Sequence, residues 1–116
     1  LSGEATPCIT IPEAWDALPD GMCIDAEGML WIALFGGGAV TRWDPVSGLL
    51  LERLELPCRQ VTSCCFGGPN LDQLFVTTAR QEMDPAAIKA EPLAGGLFEA
   101  DVGVNGLPAH AFQLAA

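Results

Sequence analysis

The residue best suited to chemistry is Asp20, in the step Pro19-Asp20-Gly21 directly before an apolar segment. A carboxylate at the entrance of a strand can bind a hard divalent cation, because such cations prefer oxygen ligands. They usually take more than one carboxylate, so Asp20 would need partners. An Asp between Pro and Gly is also typical of a residue that initiates a turn, and these residues alone leave both interpretations open.

Five cysteines form the next group of reactive residues. They are Cys8, Cys23, Cys58, Cys64 and Cys65. Their odd number, the lack of a Cys-X-X-Cys step and the single histidine fit neither a zinc site nor a disulfide framework. Buried free thiols that act as small hydrophobes are favoured, which indicates a reducing, cytoplasmic location. A catalytic cysteine is the weaker alternative, because no base stands beside a thiol in the sequence.

Other polar residues are expected to have structural roles. Arg80 could reach a channel, but a surface arginine at a strand end is the favoured interpretation. Ser63 has no histidine near it in sequence, and His110 is not expected to serve it, so packing between strands is favoured. Asp44 and Asp101 end predicted strands and should form turns.

The charge balance excludes two classes of partner. Among 116 residues, 15 are acidic and five are basic, giving a net charge of -10. Nucleic acids and anionic membranes both require basic surfaces, so neither is expected to bind. The longest apolar runs are too short to span a bilayer, and no basic segment followed by an apolar one predicts a secretory signal.

The pattern of apolar segments and turns predicts an all-β fold of antiparallel strands. The segments are rich in Ile, Val, Leu, Trp, Phe and Thr, which favour strands. Turns are predicted at 25–28, at the glycines 36–38 and at 44–48, where Gly or Pro suits the backbone. The predicted strands are 8–11, 22–25, 30–34, 40–43, 49–56, 61–66, 74–78 and 97–100.

The two halves of the chain repeat each other. Cys23-Ile24 and Leu30-Trp31-Ile32 correspond to Cys64-Cys65 and Leu74-Phe75-Val76, and residues 38–44 correspond to 95–101. Each unit reads as four antiparallel strands, as in a β-propeller blade of about 40–45 residues. The predicted division is an edge strand of a preceding blade in 1–17, one blade in 18–60 and another in 61–116. An insertion at 80–94 interrupts the second blade, and Asp84-Pro85 could start a short helix there.

Several segments, in this order and spacing, resemble the C-terminal portion of the regucalcin/gluconolactonase (senescence marker protein) family. They are Leu18-Pro19-Asp20-Gly21-Met22, Asp25-Ala26-Glu27-Gly28-Met29-Leu30-Trp31, Thr41-Arg42-Trp43-Asp44-Pro45, Val61-Thr62-Ser63-Cys64-Cys65-Phe66-Gly67-Gly68 and Gly103-Val104-Asn105-Gly106-Leu107-Pro108. The resemblance implies about two blades of a six-bladed propeller. A complete six-bladed ring needs roughly 250 residues or more.

The resemblance also implies a function. Members of this family hold one divalent metal in the central channel and hydrolyse sugar lactones. It implies that Asp20 is a metal ligand and a catalytic residue, with Ca²⁺, Zn²⁺, Mn²⁺ or Mg²⁺ as the cofactor. The family's other ligands lie on chain outside these 116 residues, so this piece alone is expected to be inactive. A missing N-terminal propeller segment or further copies of the chain would complete the ring.

A second class of function stays open. The chain could be a non-catalytic β module that acts by oligomerisation or partner binding. Calcium binding without turnover is a further option within the family.

Overall fold

The computed structural model describes residues 3–115 and contains two antiparallel sheets. In chain order the strands are β1 (Leu18–Ile24), β2 (Leu30–Phe35), β3 (Ala39–Trp43), β4 (Leu50–Glu55), β5 (Val61–Gly67), β6 (Gln73–Thr78) and β7 (Leu97–Asp101). A 3-10 helix covers Glu13–Trp15, and helix α1 covers Pro85–Ala90. The all-β prediction is confirmed: the two sheets are partial propeller blades.

The first sheet is a four-stranded meander in the order β1-β2-β3-β4. Its turns use local chemistry. Gly28 takes a φ of +83° and donates its N–H to the Asp25 carbonyl, which closes the first turn. In the third turn the Asp44 carboxylate accepts the Val46 N–H at 2.8 Å, so the prediction of a turn-forming aspartate is confirmed there. Asp101 plays the same role by accepting the Gly103 N–H.

Within residues 3–115, the second sheet contains three strands, β5-β6-β7, and the predicted fourth strand is absent. After Asp101 the chain instead crosses back to the first sheet. Gly106 forms an isolated bridge with Asp25, and the Ala26 N–H donates to the Asn105 carbonyl at 2.7 Å. These contacts tie the end of the second blade to the first turn of the first blade, leaving residues 107–115 outside any strand.

The predicted strand at 8–11 is wrong. The segment forms no ladder within the described residues; it lies across the first sheet. Ile9 and Ile11 pack with Trp15 against a cluster on that sheet formed by Ile32, Leu34 and Trp43. Pro7 and Pro12 remove backbone donors on either side of the segment, which disfavours strand pairing there. Burial of its isoleucines is the interaction that holds it in place.

The insertion in the second blade contains the predicted helix. Asp84 caps α1 by accepting the Ala87 N–H at 2.8 Å, and Pro85 occupies the first turn. Within residues 3–115, no helix is long and apolar enough to cross a membrane.

The main core lies between the two sheets. Its buried members are Trp31, Ala33, Val40, Val61, Cys64, Leu74 and Val76. Trp31 is only 1% exposed and meets the Phe66 ring edge-on at a centroid distance of 6.0 Å. The blades therefore share one core.

Strand pairing corrects the predicted alignment of the two blades. Cys23 pairs with Trp31, and Cys65 pairs with Phe75, the residue that corresponds to Trp31. Cys23 therefore corresponds to Cys65, and the predicted match of Cys23 with Cys64 is wrong by one residue. Both turns have five residues, 25–29 and 68–72, but the β5–β6 ladder continues one pair further before its turn than the β1–β2 ladder does. Similarity along the chain therefore cannot set the register.

Candidate metal and substrate site on the inner strands

Asp20 lies within β1, two residues from its start, where the pairing with β2 is irregular. Pro19 pairs with Leu34 and Met22 with Ile32, so Asp20 and Gly21 form a bulge between them. Bulges re-aim side chains and are common beside functional sites. The side chain of Asp20 is exposed. The expectation that Asp20 precedes the strand is therefore corrected: it is a bulge residue of the strand.

Gly21 allows the first strands of the two blades, β1 and β5, to approach closely; we call these the inner strands. A Cβ added at Gly21 would overlap the side chain of Ser63, so a larger residue would force one of the two strands to shift. Ser63 thus packs against the bulge from β5, as its predicted packing role requires. β5 has an irregularity of its own between Val61 and Ser63, so Thr62 stands in the second blade where Asp20 stands in the first.

An open cleft of about 470 Å³ lies beside Asp20. It is lined by Leu18, Pro19, Asp20, Phe35, Thr62, Ala79 and Gln81. Both blades contribute to it, and its polar groups are the carboxylate, a hydroxyl and an amide. The Thr62 hydroxyl also shares a 2.7 Å hydrogen bond with the Thr77 hydroxyl. The arrangement can offer oxygen atoms to a cation or a polyhydroxylated ligand.

The described residues do not form a metal site by themselves. Among residues 3–115, no group of three or more His, Cys, Asp or Glu side chains is placed to hold an ion. Of the residues that the structure describes, Asp20 is the only carboxylate that lines this cleft. A calcium ion takes six to eight oxygen ligands. Asp20 and its neighbours could therefore supply only part of its ligand shell.

A larger cleft of about 790 Å³ adjoins this one but lies over the outer face of the first sheet. Glu13 and Asp16 line it together with apolar residues such as Ile9, Ile11 and Ile32. Asp20 is not among its lining residues. The smaller cleft is therefore the one associated with the candidate ligand.

The remaining candidates from the sequence have structural positions. Arg80 donates from Nε to the Ala94 carbonyl at 2.6 Å and from a terminal nitrogen to the Pro92 carbonyl. It holds the end of the insertion and does not line the cleft. His110 lies in the exposed segment that follows the second sheet.

A buried ion pair escaped prediction. The Asp25 side chain is fully buried and accepts hydrogen bonds from Arg42 Nε and from the Trp31 indole, both at 2.8 Å. Its other oxygen accepts the backbone N–H groups of Glu27 and Met29. The Arg42 guanidinium lies 5.7 Å from the Trp31 ring centroid. Arg42 pairs with Trp31 across β2 and β3, a register that the local sequence does not indicate, so no local signal pointed to this cluster.

The hydrogen bonds decide the charge of Asp25. Burial by itself would raise the pKa of Asp25, but donors from Arg42, Trp31 and the backbone outweigh it and hold the pKa below its ordinary value of 3.8. The carboxylate is therefore charged at neutral pH, and its role is to lock the first hairpin to β3.

The fold and the position of Asp20 define this chain as part of a propeller protein with an inner-strand carboxylate. Residues 3–80 match the family described as SMP-30/Gluconolactonase/LRE-like region. The chain belongs to this family, and the predicted resemblance is confirmed.

Individual relatives agree with this assignment. Human regucalcin is 48% identical over 101 residues, which are 86% of this chain and 34% of regucalcin. A calcium-binding regucalcin from Agrobacterium tumefaciens superimposes with a TM-score of 0.89 at 37% identity, over 97% of this chain and 38% of that one. A luciferin-regenerating enzyme gives a TM-score of 0.74 at 36% identity, covering 88% of this chain and 34% of that one. The chain thus spans about a third of the length of these relatives.

Proposed function

We propose that this chain supplies part of the active site of a metal-dependent lactone hydrolase, with Asp20 as one metal ligand and a sugar lactone as substrate. The observation that carries the proposal is the exposed carboxylate of Asp20, held in a bulge at a cleft formed by both blades. The family description, which includes gluconolactonase, supports the reaction class. The relative described as calcium-binding supports a divalent metal, for which Ca²⁺, Zn²⁺, Mn²⁺ and Mg²⁺ are the candidates.

Each part of the cleft has a task in this proposal. A divalent metal at such a site supplies Lewis acidity toward the lactone carbonyl and lowers the pKa of bound water. Asp20 holds one position of the ligand shell. Thr62 and Gln81 line the same cleft, and we propose that their polar groups bind hydroxyl groups of the substrate. The remaining ligands are proposed to come from propeller chain outside these 116 residues or from another chain.

A chimera tests the role of Asp20. In the chimera, this chain replaces the corresponding third of human regucalcin, so that the propeller is complete. We expect hydrolysis of a gluconolactone substrate in the presence of divalent metal. Asp20→Ala should lower metal affinity and turnover together, by at least the roughly 10–100-fold that even outer-shell changes cost. Titration calorimetry and a lactone assay provide the two readouts.

Three controls make the result specific. Asp72→Ala removes another exposed aspartate, in the turn between β5 and β6, and should leave both readouts unchanged. The 116-residue chain alone should show no turnover above background, because one carboxylate cannot form the site. Unchanged metal affinity in the Asp20→Ala chimera would rule out the ligand role.

A second candidate is a non-catalytic module that acts by association with copies of itself. Met22 is 50% exposed and Ile24 is 44% exposed, on the face of β1 that turns away from the second blade. The register places them where β5 carries Cys64 and Phe66, which pack between the blades. On the other outer face, Leu97 is 68% exposed. The outer faces of two copies could therefore repeat the contact that joins the two blades.

Light scattering at micromolar concentration tests this candidate. We expect an assembly larger than a monomer, and Ile24→Lys should shift it toward the monomer. Val46→Lys is the matched control, because Val46 is 94% exposed in the turn after β3 and faces neither blade surface. A compact monomer with an unaltered mass in both variants would contradict association.

A further inference from the structure

Two thiols meet at the contact between the blades. Cys23 is on β1 and Cys64 is on β5, and their Sγ atoms are 3.7 Å apart. They are separated by 41 positions along the chain. Each side chain faces the opposite sheet, Cys64 within the core and Cys23 packed against it. A small movement of one side chain would bring the sulfurs to the bonding distance of about 2.05 Å.

The two thiols have different environments. Cys23 is half-buried, so a small solute can reach it, whereas Cys64 is only 5% exposed. The contact with the Cys64 thiol, together with a hydrogen bond from the Phe66 backbone, lowers the pKa of the Cys23 thiol despite burial and the nearby Asp25 charge. The same contact with Cys23, together with burial, raises the pKa of Cys64. Cys23 is therefore the sulfur that a small oxidant can reach, and we assign it as the nucleophile.

We propose that Cys23 and Cys64 form a peroxide-sensitive redox pair whose disulfide joins the two blades. The Cys23 thiolate attacks one oxygen of hydrogen peroxide, and the O–O bond breaks. Cys23 becomes a sulfenic acid, and the second oxygen leaves as hydroxide, which takes up a proton to give water. The Cys64 sulfur then attacks the Cys23 sulfur; its proton and the sulfenic hydroxyl leave as a second water. Two thiols are oxidised by two electrons, and one peroxide is reduced to two waters.

The neighbouring cysteine provides a natural comparison. Cys65 is adjacent to Cys64 in sequence, but successive residues of a strand face opposite sides, and Cys65 is exposed on the outer face. It is more accessible than either member of the pair. Selective reaction of Cys23 and Cys64 would therefore reflect their mutual geometry and not exposure.

The bond would change the molecule near the candidate site. Cys23 lies three positions after Asp20, and Cys64 follows Ser63, which packs on Gly21. A crosslink here would fix β1 against β5 and constrain the unfolded chain over a long loop. We expect it to raise the melting temperature by roughly 15 °C, as a loop of this length predicts for a chain of this size. This inference does not depend on lactone hydrolysis.

Peptide mapping by mass spectrometry tests the proposal. The full 116-residue chain is first treated with equimolar hydrogen peroxide. The expected product is lighter by two hydrogens and yields a crosslinked peptide containing Cys23 and Cys64. Cys23→Ser should abolish the crosslink, and Cys65→Ser should leave it intact. Dimedone, which traps sulfenic acids, should label Cys23 in the Cys64→Ala variant, and circular dichroism checks that each variant folds.

Two results would overturn the proposal. One is oxidation of Cys65 or Cys8 in preference to the pair. The other is accumulation of sulfinic acid at Cys23 in the unmodified chain, because a competent partner thiol would intercept the sulfenic acid first.

Discussion

At the scale of single residues, the buried pair of Asp25 and Arg42 is the strongest determinant of local structure. Asp25→Asn removes the charge but keeps the shape. Arg42, which is only 7% exposed, then loses its one fully buried carboxylate partner. We expect a loss of about 3 kcal/mol in unfolding free energy, the lower end for breaking a buried pair, because Glu27 still contacts Arg42. Glu27→Gln is the matched control: Glu27 is 64% exposed, and its loss should cost about 0–1 kcal/mol. Equal losses in urea denaturation would contradict this ranking.

The same carboxylate predicts a dependence of stability on acid. The pKa of Asp25 is depressed in the folded state, so its stabilisation is complete above its unfolded pKa and is lost as pH falls through the folded pKa. The loss should therefore begin below about pH 4. Asp25→Asn should be less stable at neutral pH but lose less on acidification. Parallel stability curves for the two proteins between neutral and acidic pH would show that another group controls acid unfolding.

At the scale of elements, Arg80 determines how the insertion returns to the second sheet. Its guanidinium donates hydrogen bonds to the Ala94 and Pro92 carbonyls. Gly95 lies against the same side chain: a Cβ added at Gly95 would be 3.3 Å from the Arg80 Cγ. Arg80→Ala should leave those carbonyls without this donor and loosen residues 81–94, at a cost of about 1–3 kcal/mol. Hydrogen exchange should become faster in α1 and the following turn, with little change in β1–β4. Arg59→Ala, an exposed arginine outside the insertion, should have no such effect.

At the scale of the whole molecule, the two blades are coupled through their shared core. Trp31 contributes to both, since it belongs to β2 and packs on Phe66 of β5. We expect one cooperative unfolding transition, and Trp31→Ala should destabilise both sheets by about 3–5 kcal/mol. Fluorescence and circular dichroism should report the same midpoint. Phe112→Ala, at an 87% exposed position, serves as the control. Two separate transitions would mean that the blades fold independently.

The sequence alone predicted the features that depend on neighbouring residues. The strands from β2 to β7 lie close to their expected positions, because apolar alternation and turn chemistry act over a few residues. The cap of α1 by Asp84 followed from the same kind of local signal. The family resemblance added the propeller class, which the comparisons confirm.

Only the tertiary structure decided the features that depend on register and on which edges find partners. Residues 8–11 have strand composition, yet they pack as an extended segment, because burial of Ile9 and Ile11 replaces ladder pairing. The second sheet stops at three strands because the chain after Asp101 pairs with the first turn instead. The Asp25–Arg42 pair, the close approach of Gly21 to Ser63 and the meeting of Cys23 with Cys64 all join distant positions. A one-residue shift in register would separate each of them, and local sequence carries no measure of that shift.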